Sequence, residues 1–374
     1  MNKNRFLASF IATDLRTKMV FIGGPRQVGK TTLAKAFISQ QEQYLNWDFL
    51  EDRELIKQHK LNPELKIIVL DEIHKYIRWR TLVKGYFDKY RETLSIIVTG
   101  SARLDHSRKG GDSLQGRYYY YRLHPFSLPE ADMEFRRETT LNLLKLGGFP
   151  EPFLSKDERN HRRWQRERVS RLIYEDLRDL ENVKELSLLE LLVDSLPGKV
   201  GFTLSINAIK EDLEVSPNTV SRWMDILERI YYCYRIAPFG SSRIRAIKKA
   251  NKLYLWDWSE VESSGARFEN MVAGHLLKYC HFKEDTEGYK MELNFLRDTD
   301  GREVDFIVLQ DKKPIFAVEC KTGEKGLSKH ISYFKDRVKI PKFYQVHLGN
   351  TQYQVGENIY ILPFEEFCKM ENMV

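Results

Sequence analysis

GPRQVGKT, residues Gly24 to Thr31, satisfies the pattern G-x-x-x-x-G-K-[ST] at every fixed position. The apolar run Met19 to Ile22 before it reads as a strand. TLAKAFIS, Thr32 to Ser39, has helical spacing. A strand, a glycine-containing turn and a helix start aim consecutive backbone N–H groups into one hollow. The helix dipole favours negative charge in that hollow. The segment is therefore expected to cradle a nucleoside triphosphate, ATP with Mg²⁺. Its binding residues would be Gly24, Pro25, Arg26, Gln27, Val28, Gly29, Lys30, Thr31 and Thr32. Lys30 would reach the β and γ phosphates, and the Thr31 hydroxyl would hold Mg²⁺.

Downstream, the apolar run Ile67 to Leu70 ends in Asp71-Glu72. A buried strand ending in two acids supplies the other half of such a site. Asp71 is expected to bind Mg²⁺, mostly through water, and Glu72 to activate the water that attacks the γ phosphate. A third strand, Ser95 to Thr99, runs into Gly100-Ser101. Thr99 and Ser101 are both candidates to sense the γ phosphate, and the sequence does not choose between them. Arg117, just before the aromatic run Tyr118 to Tyr121, has two readings. It either completes a neighbouring subunit's site in trans or pairs structurally with an acid.

The chain has 374 residues, with 42% hydrophobic and 30% charged, enough for more than one packed domain. No apolar run has the length that spans a bilayer, so no membrane association is expected. The patch Phe6 to Ala12 is followed at once by Asp14, Arg16 and Lys18, and reads as a first helix, not a signal peptide. The 4 cysteines, Cys233, Cys280, Cys320 and Cys368, form no C-x-x-C pair. A reducing cytoplasm is the default expectation. The net charge of +7 permits a polyanionic partner without requiring one.

Together these segments resemble the AAA+ ATPases of bacteria and archaea. The resemblance narrows to a subgroup carrying the phosphate loop Gly24–Thr32, the DE-x-H segment Ile67–His74, TGS at Thr99–Ser101, S-L-x-G-R at Ser113–Arg117, L-x-P-F-S-x-x-E at Leu123–Glu130 and GGFPEP at Gly147–Pro152. It implies a P-loop sheet flanked by helices, followed by a helical lid, and a homo-oligomeric ring, often a hexamer.

Residues 136 to 196 are helical and charged, with Arg159, Arg162, Arg163, Arg166, Arg168 and Arg171 crowded together. Such a run is either a solvated helix face or a contact for a phosphate backbone. Residues 202 to 229 read as helix, tight polar turn and helix, a helix-turn-helix in which Arg222 is the cation near the start of the second helix. Ile230 to Ile236 is expected to form a wing strand. Arg243, Arg245, Lys248, Lys249 and Lys252 follow in a basic linker that either tracks phosphates or keeps a connection soluble.

In the last third, a helix over Gly265 to Cys280 carries Glu269, and strands are expected at Met291–Leu296, Glu303–Val308 and Pro314–Lys321. Asp305 lies within the second strand, and Glu319 and Lys321 end the third. Residues i and i+2 of a strand share a face, so Glu319 and Lys321 should converge. Asp305, Glu319 and Glu269 could then hold a divalent metal, with Lys321 stabilising charge on a phosphodiester. This order resembles the PD-(D/E)XK nuclease fold, and the Glu269 helix is similar to Holliday-junction resolvases of that fold.

The expected fold is α/β: a P-loop AAA+ core over 1–135, a helical lid over 136–196, a winged-helix-like module over 197–250 and a nuclease-like domain over 251–374. The expected function is Mg²⁺-dependent ATP hydrolysis with DNA binding, including branched DNA, through the C-terminal region. An ATP-gated nuclease and an ATP-dependent switch docking a protein partner are the alternatives.

Overall fold

The computed structural model describes residues 5–59, 61–100, 114–177, 186–240 and 251–374. The chain divides into two compact units, Met1–Pro125 and Phe126–Val374.

Among the described residues, the first unit is built on five parallel strands: β1 (Met19–Gly23), β2 (Tyr44–Asn46), β3 (Ile67–Asp71), β4 (Ser95–Thr99) and β5 (Tyr118–Arg122). Their order is β2-β3-β4-β1-β5. β4 thus separates β1, which feeds the phosphate loop, from β3, which carries the acids. Continuous apolar runs suit a parallel sheet covered on both faces. Met19, Phe21, Ile68, Leu70, Ile96 and Val98 are buried in one cluster with Trp79, Val83 and Tyr86 of the helix Trp79–Tyr90. Each such side chain contributes roughly 1.5–3 kcal/mol when fully buried. The first helix runs from Leu7 to Asp14. The helix after the phosphate loop is shorter than its periodicity suggests, Lys30–Lys35. Beyond it the backbone tightens to i→i−3 bonds, Ala36 to Leu33 at 3.2 Å and Phe37 to Ala34 at 3.1 Å.

Among the described residues, the second unit contains eight strands: β6 (Cys233–Pro238), β7 (Lys252–Leu255), β8 (Met291–Arg297), β9 (Glu303–Gln310), β10 (Lys313–Lys321), β11 (Phe343–His347), β12 (Tyr353–Val355) and β13 (Ile359–Pro363). They form one mixed sheet, β12-β13-β11-β10-β9-β8-β6-β7. The long helix Ser264–Glu287 packs on β8, β9 and β10. It ends at Gly288, whose φ of +77° is the left-handed turn that closes many helices. Asn270 ties this helix to the sheet edge: its amide donates to the Leu255 carbonyl at 2.8 Å and accepts the Leu255 N–H at 2.9 Å. Polar groups on an edge strand are thereby satisfied without another strand.

The helix-turn-helix forms as helices Ile206–Leu213 and Pro217–Arg229. Ser205 and Ser216 cap them, accepting from the amides of Ala208 at 3.2 Å and Thr219 at 3.1 Å. Glu214 takes the left-handed turn between them, φ +54°. The expected wing strand is displaced and has another partner. It begins at Cys233, pairs antiparallel with β7 and parallel with β8, and is therefore part of the large sheet. Residues on both sides of position 250 belong to that one sheet.

Candidate functional site

The phosphate loop owes its shape to left-handed backbone steps: Gly24 at φ +140°, Gln27 at +61° and Gly29 at +96°. Such alternation turns amides inward as an anion nest. A Cβ on Gly24 would strike the carbonyl oxygen of Leu123, so a side chain is excluded there. Lys30 is buried, and its ammonium donates to the carbonyls of Gly24 at 2.9 Å and Pro25 at 2.6 Å. Thr32 stands exposed one residue beyond Thr31 on the same helix. Arg5 is buried and braces the loop from outside, donating to the carbonyls of His124 and Val28. The sequence reading missed Arg5, because an arginine so far from the loop in sequence carries no local signal.

Asp71 is the centre of the site. Its Oδ2 accepts from the Thr31 hydroxyl at 2.8 Å and the Tyr44 hydroxyl at 2.7 Å, and its Oδ1 from the Thr99 hydroxyl. Strand register sets Thr99 directly beside Asp71. Of the two sensor candidates, Thr99 therefore lies in this network, while Ser101 lies outside the described residues. Tyr44 was also missed. Burial, reinforced by Asp71, holds its hydroxyl protonated as a permanent donor. The Thr31 and Asp71 oxygens are hard donors, side by side, and suit Mg²⁺.

Glu72 follows with φ +56°, a conformation costing a non-glycine residue roughly 1 kcal/mol or more. Its amide donates to the Thr99 carbonyl at 3.1 Å, which fixes the turn. Burial pushes its carboxyl up; Lys75 opposes this and Asp71 adds to it. Lys75 sits 3.5 Å and His74 3.6 Å from Glu72 Oε2. A Cβ on Gly100 would come within 2.6 Å of His74 Nδ1, so this glycine lets the His74 ring pack against the end of β4.

Arg117 pairs bidentately with Asp88, at 2.7 and 3.2 Å, on an exposed surface. β5 runs parallel to β1 with Met19 beside Tyr118 and Gly23 beside Arg122. Arg117 thus stands at the end of edge strand β5 away from the chain's own phosphate loop, roughly 20 Å along the strand direction.

In the second unit, Asp305 on β9 and Glu319 on β10 lie on adjacent antiparallel strands. Lys321 donates to Glu319 Oε1 at 2.6 Å, and Ser328 approaches the same oxygen at 3.3 Å. Asp305 Oδ2 accepts the Cys320 N–H at 2.8 Å. Lys252 differs most from expectation. It does not lie in a solvated linker but on β7, with its side chain only 3% exposed. Its ammonium is 2.6 Å from Glu303, 3.1 Å from Glu269 and 3.5 Å from Asp305. Burial alone would depress Lys252; Asp305, Glu269 and Glu303 outweigh it and raise the pKa above the usual lysine range. Burial and Asp305 push Glu269 up to about 7 and raise Glu319 as well. The Tyr254 hydroxyl donates to Glu269 at 2.7 Å. The expected trio Glu269, Asp305 and Glu319 is not arranged as a metal centre. Among the described residues, no three His, Cys, Asp or Glu side chains are placed to hold one. Arg243, Arg245, Lys248 and Lys249 lie outside the described residues.

The crowded arginines divide by helix face. On the helix Glu158–Arg171, His161, Trp164 and Arg168 are buried. Arg168 pairs with Glu260 at 2.9 Å and covers the Phe149 ring at 4.4 Å, a structural role. Arg159, Arg162, Arg163 and Arg166 are exposed, at the i, i+3, i+4, i+7 spacing of the opposite face. Among the described residues, only Arg162 of these has an acid within 4 Å, Glu158 at 3.9 Å. On the second helix of the helix-turn-helix, Asn218, Arg222, Asp225 and Arg229 are exposed, a face of mixed charge.

The motifs that carry the resemblance fall in both units. Leu123 donates to the Gly23 carbonyl at 2.8 Å within the first. In the second, His275 accepts the Leu128 N–H at 2.9 Å, and Lys278 bonds Ser127 and Glu130. Gly147, φ +74°, stands where a Cβ would meet Asp257 Oδ1 at 2.5 Å.

Residues 16–131 match an AAA domain, residues 137–261 a domain of unknown function (DUF8612), and residues 264–367 a second domain of unknown function (DUF4143). The chain is 23% identical to the uncharacterized protein MJ1544 of Methanocaldococcus jannaschii, over 92% of this chain and 86% of that protein. It is 24% identical to an uncharacterized protein of Haemophilus influenzae, over 76% of this chain and 78% of that one. Among solved structures, the Aeropyrum pernix ORC1 protein in complex with DNA aligns at 16% identity and TM-score 0.33, over 71% of this chain and 90% of that one. A STAND ATPase with a tetratricopeptide repeat sensor from Pyrococcus horikoshii aligns at 13% identity and TM-score 0.23, over 75% of this chain and 48% of that one. The chain thus carries a P-loop AAA domain followed by two domains of unknown function. Among the described residues, no helix is long and apolar enough to cross a membrane.

Proposed function

We propose that this protein is a Mg²⁺-dependent ATPase of the AAA+ type that works as a homo-oligomer and engages DNA through its second unit. The observation that carries the ATPase reading is the Asp71 network. It links the phosphate loop through Thr31, the central strand through Thr99 and the candidate base through Glu72. Lys30 exchanges the carbonyls of Gly24 and Pro25 for β- and γ-phosphate oxygens. The loop amides hold the α and β phosphates. Thr31 and Asp71 would hold Mg²⁺, which would supply charge neutralisation on the transferred group. Glu72 takes a proton from the attacking water, and burial, by raising its carboxyl above the usual range, makes it a stronger base. The discriminating measurement is ATP turnover by the parent, Lys30→Ala and Glu72→Gln proteins. A parental rate from Glu72→Gln would reassign the base.

The exposed arginine stripe Arg159, Arg162, Arg163 and Arg166 supports DNA engagement: guanidinium groups on a solvent-facing stripe, of which only Arg162 has an acid within 4 Å among the described residues, suit backbone phosphates. The helix-turn-helix contributes less, because Asp225 lies on its exposed face. A panel of duplex, single-stranded and four-way DNA, scored for binding and for ATP turnover, tests this part. No response to any DNA, with a protein recovered by pull-down, would favour the signalling-switch alternative. For the oligomer, Arg117 is assigned to a neighbour's γ phosphate, a role supported by its position at the sheet edge away from its own loop. That role requires release of Asp88. Mixing Arg117→Ala with Lys30→Ala protein restores turnover if sites are shared, and does not if each chain is self-sufficient.

A further inference from the structure

The nuclease-like cluster of the second unit contains a cation of its own. We infer that the Lys252 ammonium occupies the cation position among Glu269, Glu303 and Asp305, so that this unit takes no divalent metal there and is not a metal-dependent phosphodiesterase.

Lys252 belongs to this cluster, not to solvent. Its side chain is 3% exposed, and carboxylates of a helix and a strand converge on one nitrogen. A compact, threefold-donating ammonium satisfies several carboxylates at once, as a small metal ion does. A divalent ion introduced beside Asp305 would stand next to that buried positive charge in a poorly screened environment. The remaining donors are also engaged. Asp305 Oδ2 holds the Cys320 amide, and Glu319 Oε1 holds Lys321. Glu319 Oε2 is buried with no hydrogen-bond partner, and a single donor does not make a metal site.

Access does not explain the exclusion. A cavity of about 580 Å³, lined in part by Asp194, Glu260, Glu262 and Glu269, reaches the cluster from the side of Gly201. Gly201 leaves room for the Glu269 carboxylate; a Cβ there would lie 3.2 Å from Oε2. A cation entering this acidic cavity would reach Glu269 and find its Oε1 already bonded by Lys252 and Tyr254.

The test is titration of the nucleotide-free full chain with Mn²⁺, following the free aquo ion by electron paramagnetic resonance. Omitting nucleotide keeps the outcome independent of whether the first unit hydrolyses ATP. The parent and Asp305→Asn proteins should give superimposable Mn²⁺ isotherms. Lys252→Met should gain one Mn²⁺ per chain at an affinity at least tenfold above the parent, and the double variant Lys252→Met/Asp305→Asn should lose it. A parental Mn²⁺ site abolished by Asp305→Asn or Glu319→Ala overturns the inference. So does a folded Lys252→Met protein that gains no metal. If Lys252→Met does not fold, Lys252→Gln takes its place, and the parent-against-Asp305→Asn comparison remains decisive by itself.

Discussion

The two units each set acids at strand ends, but they hold those acids differently. Asp71 is held by the hydroxyls of Thr31, Tyr44 and Thr99. Asp305 and its neighbours are held by the ammonium groups of Lys252 and Lys321. A hydroxyl donates a proton without cancelling the carboxylate's charge, and it can accept a metal's coordination when one arrives. An ammonium cancels the charge in advance. The first site thus leaves its carboxylate charge uncancelled, whereas in the second two ammonium groups already offset part of the charge of Glu269, Glu303, Asp305 and Glu319. Acids at strand ends thus meet different counter-groups in the two units, hydroxyls in one and ammonium groups in the other.

The largest effect that would break this contrast is expected in the first unit. Lys30→Ala should weaken ATP binding about 100-fold or more, read by calorimetry, because a phosphate-facing charge is removed. Unchanged affinity would mean that the loop is not the nucleotide site. Next, Glu72→Gln should retain ATP binding while turnover falls roughly 10²–10⁴-fold. Because burial raises the Glu72 pKa, its basic form disappears as pH falls through a value above the ordinary carboxylate range. The parent rate should accordingly decline on the acid side, and the residual rate of Glu72→Gln should lack that limb.

The second unit sharpens the contrast through stability. Lys252→Ala strands several buried carboxylates and should cost about 3–5 kcal/mol of unfolding free energy in denaturant, with ATP affinity unchanged. A loss under 1 kcal/mol would show that the ammonium is not the counter-ion. Glu269 gives a smaller effect. Its folded pKa of about 7 lies above the ordinary glutamate value, so the folded protein binds the extra proton between the two. Stability is then complete below the unfolded pKa and declines by about 2–3 kcal/mol as pH rises through 7. Glu269→Gln should flatten that decline in a pH series of denaturation midpoints. Smallest per residue, each of Arg159, Arg162, Arg163 and Arg166 changed to Ala should lower the slope of log K against log salt for DNA by about 0.7–0.9 if it meets a phosphate. An unchanged slope for the fourfold variant would remove the stripe from the interface.

Much of the first site was legible because its chemistry is local. The phosphate loop, the acids ending β3 and the capped helix-turn-helix each announce themselves within one continuous stretch of sequence. The braces were not legible. Arg5 and Tyr44 join the site through folding alone, as two residues among many of their type. Lys252 was misread for the same reason: in sequence it ends a basic linker, and in space it faces acids from the helix Ser264–Glu287 and from β9. Local pattern also overextended the helix after Lys30, because apolar spacing does not mark where i→i−4 bonds give way to i→i−3 bonds, and it gave the strand near Cys233 to a wing, because its parallel partner β8 is far away in sequence.

The sequence by itself determined the type and order of the elements in the first unit, the glycines that permit the turn of the phosphate loop, and the acids that end β3. These follow from side-chain sterics and from spacing along one stretch of backbone. Only the tertiary structure decided which charges meet. Electrostatic energy depends on separations of a few ångströms and on burial, and chain order fixes neither. Hydroxyls around Asp71 and an ammonium around Asp305 are consequences of packing, and they set the two units apart.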